Sequence, residues 1–368
     1  MMSKLSHDTL NTMAAAKRLI VIKVGTSVIT NDDGLLNSAV LRHIVDQVCE
    51  LKKQGTHVIL VSSGAMAAGR ALLKSSGKEE SVGKRQMLAA VGQASLMGEY
   101  LEAFKDRGYL CAQVLTTKED FRTRRHYLNM KNCFAALLED GVVPIVNEND
   151  VISVEELMFT DNDELAGLIT SMVDADILLL LTSVEGLREG SIEDGTIISV
   201  IEPGSAVWKS HITSDTSAFG KGGMRTKCGI AAKLAGSGIA VHIVSGRTHN
   251  VVLDALSGKK IGTHFLPDRK ASTVKRWIAH AEGTEKGRVT VNKRTVDILR
   301  SGEAVSLLPV GIVAVEGEFE KDDIIRIVSE RGEMIGLGKA KYNAERVKEL
   351  LGKKGEKPLV HYDYLYIA

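Results

Sequence analysis

The sequence has few aromatic residues and few cysteines. Phe, Trp and Tyr together make up 4% of the 368 residues, which is little material for stacking platforms. The four cysteines, Cys49, Cys111, Cys133 and Cys228, are scattered and form no CxxC pair. This spacing argues against a zinc knot and a disulfide framework, so we expect reduced structural thiols.

The sequence also lacks an excess of charge and a long hydrophobic run. Lys and Arg number 47 against 46 Asp and Glu, which gives no global attraction to nucleic acid or to an anionic membrane. The densest apolar run, Ile177 to Leu181, is too short to cross a bilayer, and residues 1–18 lack the apolar core of a signal peptide. We therefore expect a cytoplasmic protein that does not bind membranes.

Glycine, in contrast, is abundant at 35 residues, and up to about residue 265 short apolar runs alternate with helical patterns. Runs of Val, Ile and Leu of this kind are typical of strands buried on both faces. The predicted strands are Leu19–Val24, His57–Val61, Tyr109–Leu115, Val142–Val146, Ile177–Leu181 and Ile239–Val244. The predicted helices cover 38–54, 84–105, 127–139, 162–173 and 223–236. This alternation predicts an α/β fold, a three-layer α/β/α sandwich with a mainly parallel central sheet.

The pattern changes after Pro267 to short β-rich runs separated by glycines and charged turns. The predicted strands there are Arg288–Val291, Gly311–Val315, Ile324–Val328 and Leu359–Tyr362. We therefore predict a first domain over residues 1–265, a linker over 266–283 and a small β-rich domain over 284–368.

Two strand ends carry residues suited to anions. Lys23 lies inside the apolar first strand, and burying its ammonium group is costly unless it meets an anion. Gly25 then allows close backbone approach to a ligand. After the second strand, Ser63 and Gly64 precede a predicted helix start, where free amides favour anions. The alternatives are an edge-strand lysine that reaches solvent and a tight strand-turn-helix junction.

Two further segments carry dense polar groups. Asn147 to Asp150 follow the strand Val142–Val146, and Asp161 to Asp163 open a helix. Asp161 is explained by an N-cap alone, but one cap does not account for all seven residues. A glycine-rich loop with three cations leads into another helix and suits a polyphosphate, unless it is only a solvated basic loop. Its residues are Gly220, Lys221, Gly222, Gly223, Met224, Arg225, Thr226 and Lys227.

Several familiar catalytic signatures are absent from the sequence. It contains no GxxxxGK[ST] loop and no GxGxxG after a strand, and its histidines have no ligand spacing. The inventory of lysines, glycine-rich turns and opposing carboxylates favours phosphoryl transfer, which needs alignment and charge neutralisation rather than covalent chemistry.

The order of these segments resembles the amino acid kinase superfamily. The matching segments are VIKVGTS, VSSGAMAAG, VPIVNEND, DNDELA, LLLLTSVEGL and GKGGMRTK. Within the superfamily the resemblance is closest to the members that phosphorylate glutamate. It covers nearly the whole chain, because bacterial members often carry a C-terminal PUA domain where the β-rich unit is predicted.

The resemblance implies ATP-dependent phosphorylation of the side-chain carboxylate of L-glutamate to L-glutamyl 5-phosphate, the first step of proline biosynthesis. It also implies Mg2+, with no metal ligands assigned, a homodimer or homotetramer, and feedback inhibition by proline within the region from Glu148 to Asp163. A carboxylate is already a nucleophile, so no general base is needed.

The resemblance also implies roles for individual residues. Lys23 and Lys227 would flank the transferred phosphoryl group, and Asp163 would hold them in place. Gly25 would contact phosphate through its backbone. Glutamate would be bound by Ser63, Gly64, Asp150 and Asn162. ATP would be contacted by Lys23, Gly25, Thr182, Ser183, Lys221, Gly222, Gly223, Met224, Arg225, Thr226 and Lys227.

Two departures from the family pattern concern the nucleotide base. Ser183 stands where members usually have Asp, and Arg188 to Ser191 replace the usual Tyr-Thr-x-Asp-Pro turn.

Two alternatives to this interpretation are another amino acid kinase, acting on acetylglutamate or carbamate, and an RNA-binding or regulatory protein acting through its PUA domain. Residues 284–368 hold 15 Lys and Arg against 14 Asp and Glu, and a nucleic-acid domain usually has a clear basic excess. We therefore expect no nucleic-acid partner.

Overall fold

A computed structural model describes most of the chain. The described residues are 18–31, 33–74, 81–122, 124–152, 161–189, 195–211, 223–268, 278, 285–301 and 305–367.

An eight-stranded sheet organises the N-terminal part of the chain. Its strands and one short hairpin are β1 (Leu19–Val24), β2 (His57–Ser62), β3 (Cys111–Thr116), β4 (Val143–Glu148), β5 (Ile177–Thr182), β6 (Arg188–Glu189), β7 (Thr196–Ile197), β8 (Val200–Ile201), β9 (Ala240–Ser245) and β10 (Thr263–Phe265). The sheet order is β3-β4-β2-β1-β5-β9-β10-β8, while β6 pairs with β7. All neighbours in the large sheet are parallel except β9 and β10. The mainly parallel sheet is thereby confirmed, and the six predicted strands differ from the observed ones by no more than two residues at either end.

Helices connect these strands and cover both faces of the sheet. They are α1 (Thr26–Ile29), α2 (Ser38–Lys53), α3 (Ala65–Leu73), α4 (Val82–Lys105), α5 (Lys118–Arg122), α6 (Arg124–Glu139), α7 (Asn162–Met172), α8 (Met224–Gly236) and α9 (Val251–Leu256). Within the described ranges, no helix is both long and apolar enough to span a bilayer.

Strand β1 lies in the middle of the sheet and is buried on both faces. Ile20, Ile22 and Val24 belong to the apolar cluster that includes residues of α2, α4 and α9. Val21 belongs to the cluster on the opposite face, with residues of α7 and α8. Because side chains alternate along a strand, Lys23 lies on the same face as Val21. The fold therefore places this lysine on the side of the sheet that α7 and α8 cover.

Helices α3 and α4 pack with their backbones in contact. A Cβ atom added at Gly92 would lie 1.7 Å from the carbonyl oxygen of Ala65, and one at Gly69 would lie 2.0 Å from that of Leu88. Only glycine permits such an approach at these two positions. The start of α3, just after β2, is thus fixed against α4.

The C-terminal unit is a five-stranded sheet with two helices. Its elements are β11 (Gly287–Val291), α10 (Lys293–Leu299), β12 (Ile312–Gly317), β13 (Ile324–Ser329), β14 (Met334–Lys339), α11 (Ala344–Leu350) and β15 (Leu365–Ile367), in the sheet order β12-β11-β13-β14-β15. The β-rich character predicted after residue 284 is confirmed. Ile278, from the predicted linker, is fully buried against Ile324 and Leu337. The domain boundaries themselves stay a prediction.

One predicted strand, Leu359–Tyr362, is wrong. Val360 forms only an isolated bridge with Leu307, and residues 362–364 form a 3-10 turn before β15. The Leu359 and Val360 N–H groups donate to the carbonyl oxygen of Leu307. Beyond them the N–H group of Tyr362 donates to Ser306 Oγ and that of Asp363 to His361 Nδ1, so the pairing does not continue. Local side-chain acceptors of this kind compete with a ladder, and alternation in the sequence does not reveal them.

Candidate active site

Two lysines and one aspartate form a buried charge cluster at the carboxyl ends of the parallel strands. Lys23 Nζ lies 2.7 Å from Asp163 Oδ1, and Lys227 Nζ lies 2.8 Å from Asp163 Oδ2. Lys23 is 6% exposed, Lys227 is 8% exposed and Asp163 is inaccessible to solvent. Three distant segments thus meet, namely β1 and the first turns of α7 and α8. The alternative of an edge-strand lysine is wrong, because β1 pairs with β2 on one side and β5 on the other.

The position of the cluster follows from the sheet order. The connection from β1 leads to β2 on one side, whereas β5 lies on the other side of β1. Parallel sheets form a crevice beyond the strand ends where the order reverses in this way, and ligands bind in that crevice. The cluster lies at such a reversal.

Electrostatics favours an ionised Asp163. Burial alone would raise the pKa of its carboxyl group, but the charges of Lys23 and Lys227 and their hydrogen bonds outweigh burial and hold the pKa below its ordinary value. Two ammonium groups and one carboxylate leave the cluster with one net positive charge. The cluster is therefore suited to an anionic group.

Asp161 has a local role and an unusual environment. Its Oδ1 accepts hydrogen bonds from the backbone N–H groups of Asp163 (2.8 Å) and Glu164 (3.1 Å), which confirms that it caps α7. Its Oδ2 is buried and has no hydrogen-bond partner among the described residues. Burial and the charge of Asp163 raise the pKa of Asp161, against the opposing effect of the lysines.

Gly25 brings the backbone after β1 close to both β5 and the charge cluster. Its N–H group donates to the carbonyl oxygen of Leu181 at 3.2 Å. A Cβ atom at this position would lie 3.2 Å from the same oxygen and 3.6 Å from Lys23 Nζ. At the end of β5, Thr182 is buried and Ser183 is exposed. Gly25 and Thr182 thus lie at neighbouring strand ends.

The turn after β2 is held in one conformation. The Ser63 N–H group donates to the carbonyl oxygen of Val24 at 3.1 Å, which ties this turn to β1. Gly64 has a φ of 106°, and a Cβ atom there would lie 2.7 Å from Ile29 Cδ1. Gly64 also precedes α3 without any side-chain cap, so the first amides of that helix are available to a ligand.

A chain of amide side chains connects this turn to α4 and β4. The Nδ2 group of Asn162 donates to Ser63 Oγ and to Asn147 Oδ1, each at 2.9 Å. Asn147 Oδ1 also accepts from the Glu148 N–H group at 2.9 Å, and Asn147 Nδ2 donates to Gln93 Oε1 at 2.9 Å. We call these four residues, Gln93, Asn147, Asn162 and Ser63, the amide relay.

The serine before the turn has a buried partner of its own. Ser62 Oγ lies 2.8 Å from the hydroxyl group of Tyr100, and it donates to the carbonyl oxygen of Ser63 at 3.0 Å. Tyr100 therefore donates to Ser62, because the Ser62 hydrogen is already used. Tyr100 of α4 thus helps to fix the Ser63 turn.

Other predicted residues lie nearby or outside the described part of the chain. Asp150 is half-buried in the turn that follows β4, where the Asn149 N–H group donates to the carbonyl oxygen of Thr116 at 2.8 Å. Gly223 precedes α8 without a side-chain cap, which leaves the amides of Met224, Arg225 and Thr226 available. Lys221, Gly222, Gly190 and Ser191 lie outside the described residues.

Sequence reasoning missed Gln93 and Tyr100. Gln93 lies on the buried face of α4 among Ala89, Gly92 and Leu96, and a polar residue inside an apolar stripe was the available signal. Tyr100 gave no comparable signal, since an aromatic residue on such a face is ordinary core.

Within the described part of the chain, no group of three or more His, Cys, Asp or Glu side chains is arranged to hold a metal ion. Both oxygens of Asp163 face lysines. These residues do not form a dedicated cage for a divalent cation.

A buried, net-positive charge cluster at the carboxyl ends of parallel strands is the arrangement of a phosphoryl-group transferase of the α/β class. Comparison with known families agrees: residues 18–245 match the model of the amino acid kinase family, and residues 287–362 match the PUA domain. The chain belongs to the amino acid kinase family, in the branch of the glutamate 5-kinases.

Two relatives show how far the similarity extends. A glutamate 5-kinase of Bacteroides thetaiotaomicron is 50% identical over 353 residues, which cover 95% of this chain and 98% of that protein. One of Chlorobaculum tepidum is 48% identical over 352 residues, with the same coverage of 95% and 98%. Among solved structures, the carbamate kinase of Giardia lamblia bound to AMP-PNP superposes with a TM-score of 0.50 at 19% identity, over 69% of this chain and 99% of that one. This last likeness concerns the fold alone.

Proposed function

We propose that this protein transfers the terminal phosphoryl group of ATP to the side-chain carboxylate of L-glutamate, which gives L-glutamyl 5-phosphate for proline biosynthesis. The observation that carries the proposal is the buried Lys23–Asp163–Lys227 cluster, in a chain whose relatives of 48% and 50% identity are glutamate 5-kinases. Asn147 at the end of β4 and Asp150 in the turn that follows supply polar groups for the amino acid.

The two lysines neutralise the moving phosphoryl group. Its oxygens carry negative charge throughout transfer, so cations fixed on both sides of it lower the barrier. Asp163 holds both ammonium groups before the substrates arrive, and its burial keeps water from weakening the attraction. The glutamate carboxylate attacks directly, so the site needs no general base.

The hydrogen-bond donors and acceptors of the amide relay suit the charged groups of an amino acid. Ser63 Oγ accepts from Asn162, which leaves the Ser63 hydroxyl hydrogen for a substrate carboxylate. We assign the substrate ammonium group to the region of Asp150 and Asn162, and the backbone at Gly64 to the carboxylate that is phosphorylated.

ATP lies, in this proposal, between the ends of β1 and β5 and the start of α8. Gly25, Thr182, Ser183 and the amides from Gly223 to Thr226 contact the nucleotide, with Lys221 and Gly222 in the same loop. We assign Mg2+ to the nucleotide substrate, because magnesium in kinase sites is held mainly by phosphate oxygens and water.

One experiment tests the activity. ADP release is measured with L-glutamate, N-acetylglutamate, aspartate and carbamate side by side, and then with L-glutamate in the presence of millimolar proline. We expect turnover with L-glutamate to exceed that with each other acceptor and to fall when proline is added. A preference for N-acetylglutamate or carbamate would refute the proposal, and indifference to proline would refute feedback by proline.

We also propose that the protein is a cytoplasmic homodimer or homotetramer. Its mass in solution, measured by light scattering, tests the oligomeric part of this proposal.

A further inference from the structure

The amide relay has a polarity that the backbone dictates. The N–H group of Glu148 is an unambiguous donor, so the Asn147 atom at 2.9 Å from it must be the oxygen. The other Asn147 atom is then a nitrogen and must donate, and Gln93 accepts with Oε1. The orientation of each amide follows from the one before it.

The same argument fixes the amide of Asn162. Its Nδ2 group donates one hydrogen to Asn147 Oδ1 and the other to Ser63 Oγ, so both hydrogens are used inside the protein. No described residue donates to Asn162 Oδ1, and the side chain is half-buried instead of sealed. Asn162 therefore offers an acceptor, not a donor, to a ligand beside the charge cluster.

We propose that Gln93 is a specificity-determining positioning residue: through Asn147 it keeps Asn162 Oδ1 directed at the ammonium group of the amino acid substrate. This inference rests on the proposed function. Gln93 acts through Asn147 and not by direct contact with the substrate. It accepts the only hydrogen bond from Asn147 Nδ2 to a described residue, and together with the Glu148 N–H group on Asn147 Oδ1 it keeps this amide from turning over. If Asn147 turned over, its nitrogen would face Asn162 Nδ2, and Asn162 would turn its own donor towards the ammonium group.

Gln93→Met tests the proposal, because methionine has a similar volume and no amide. We expect the KM for L-glutamate to rise about fivefold to tenfold, as for the loss of one neutral hydrogen bond. Glutarate, which has both carboxylates but no ammonium group, serves as a competitive inhibitor. Its inhibition constant, and the KM for ATP, should stay within about twofold of the wild-type values, since Gln93 acts only on ammonium recognition.

Three further variants complete the test. Gln93→Asn is too short to reach Asn147 and should raise the KM as Gln93→Met does. Gln93→Glu keeps an oxygen acceptor for Asn147 but buries a second oxygen where Gln93 Nε2 has no partner, so it should restore the KM only in its protonated form, that is, at the low end of the pH range of the assay. Gln54→Met, at an exposed glutamine at the end of α2, is the matched control and should change nothing.

An unchanged KM for L-glutamate in folded Gln93→Met or Gln93→Asn protein would overturn the inference. So would a parallel rise in the glutarate inhibition constant, because it would indicate a general loss of pocket shape. If the wild-type protein itself fails to phosphorylate L-glutamate, the proposed function fails instead, and the two failures are distinguishable.

Discussion

At the scale of single residues, the chemistry depends on a balance of charge around Asp163. A buried carboxylate on its own is costly, and so is each buried ammonium group, but the three together compensate one another at distances of 2.7 and 2.8 Å. The protein therefore keeps two cations ready in a place from which water is excluded.

Removing either lysine should affect catalysis far more than folding. For Lys23→Ala and Lys227→Ala we expect kcat to fall about a hundredfold or more, comparable to the loss of one charge-stabilising donor. The assay is steady-state ADP release, with circular dichroism to verify folding. Lys53→Ala, at an exposed lysine whose ion pair with Glu50 is at the surface, is the control and should retain wild-type kcat. Near wild-type kcat in both folded site variants would rule out the mechanism.

At the scale of elements, α3 and α4 behave as one unit because their backbones touch at Gly69 and Gly92. The Ser63–Gly64 turn lies at the start of α3, and α4 carries Gln93 and Tyr100. The packing of two helices thus sets the position of the glutamate end of the site.

A single methyl group at this contact should displace α3. Gly92→Ala places a Cβ atom where Ala65 contributes a carbonyl oxygen, so we expect a loss of stability of about 1–3 kcal/mol and a higher KM for L-glutamate. Gly98→Ala, in the same helix but with no heavy atom within 4 Å of the added Cβ, should instead be neutral or add about 0.5–1 kcal/mol. Chemical denaturation and glutamate titrations measure both effects. Equal stability of the two variants would contradict the packing argument.

Most strands of the fold were predictable from the sequence, and the features that were not have physical reasons. Buried strands are continuous apolar runs, and Lys23 is conspicuous because it interrupts one. The meeting of Lys23 with Lys227 follows from strand order and helix placement, which no local pattern encodes. Gln93 is one polar residue in an apolar stripe, and its role is visible only from its contact with Asn147 in the folded chain. The strand predicted at Leu359–Tyr362 failed because its pairing stops at the isolated bridge between Val360 and Leu307, and the Tyr362 N–H group beyond it donates to the Ser306 hydroxyl oxygen.

At the scale of the whole molecule, the C-terminal unit has a core of its own. Val289, Ile325, Ile335 and Leu359 belong to a buried cluster whose members all come from residue 289 onward. A core of this kind is the physical basis for an independently folding unit.

We therefore expect two separable unfolding transitions. Ile325→Ala should lower the free energy of unfolding of the C-terminal unit by about 2–5 kcal/mol, because Ile325 is fully buried in the C-terminal cluster. The kcat and both KM values should stay unchanged. Ile44→Ala, in the cluster between α2 and the large sheet, should lower the temperature of the other transition. Differential scanning calorimetry of the full chain separates the two. One cooperative transition that shifts equally in both variants would show that the units fold together.

The three residues of the charge cluster are far apart in the sequence, and this has a consequence during synthesis. A nascent chain that has emerged as far as β5 already contains Lys23 and Asp163, yet the second cation is still untranslated. Such a chain has a carboxylate balanced by one ammonium group and no surplus positive charge to hold a phosphoryl group. Phosphoryl transfer therefore requires the growing polypeptide to extend beyond Lys227, and shorter ribosome-bound fragments do not consume ATP at this site.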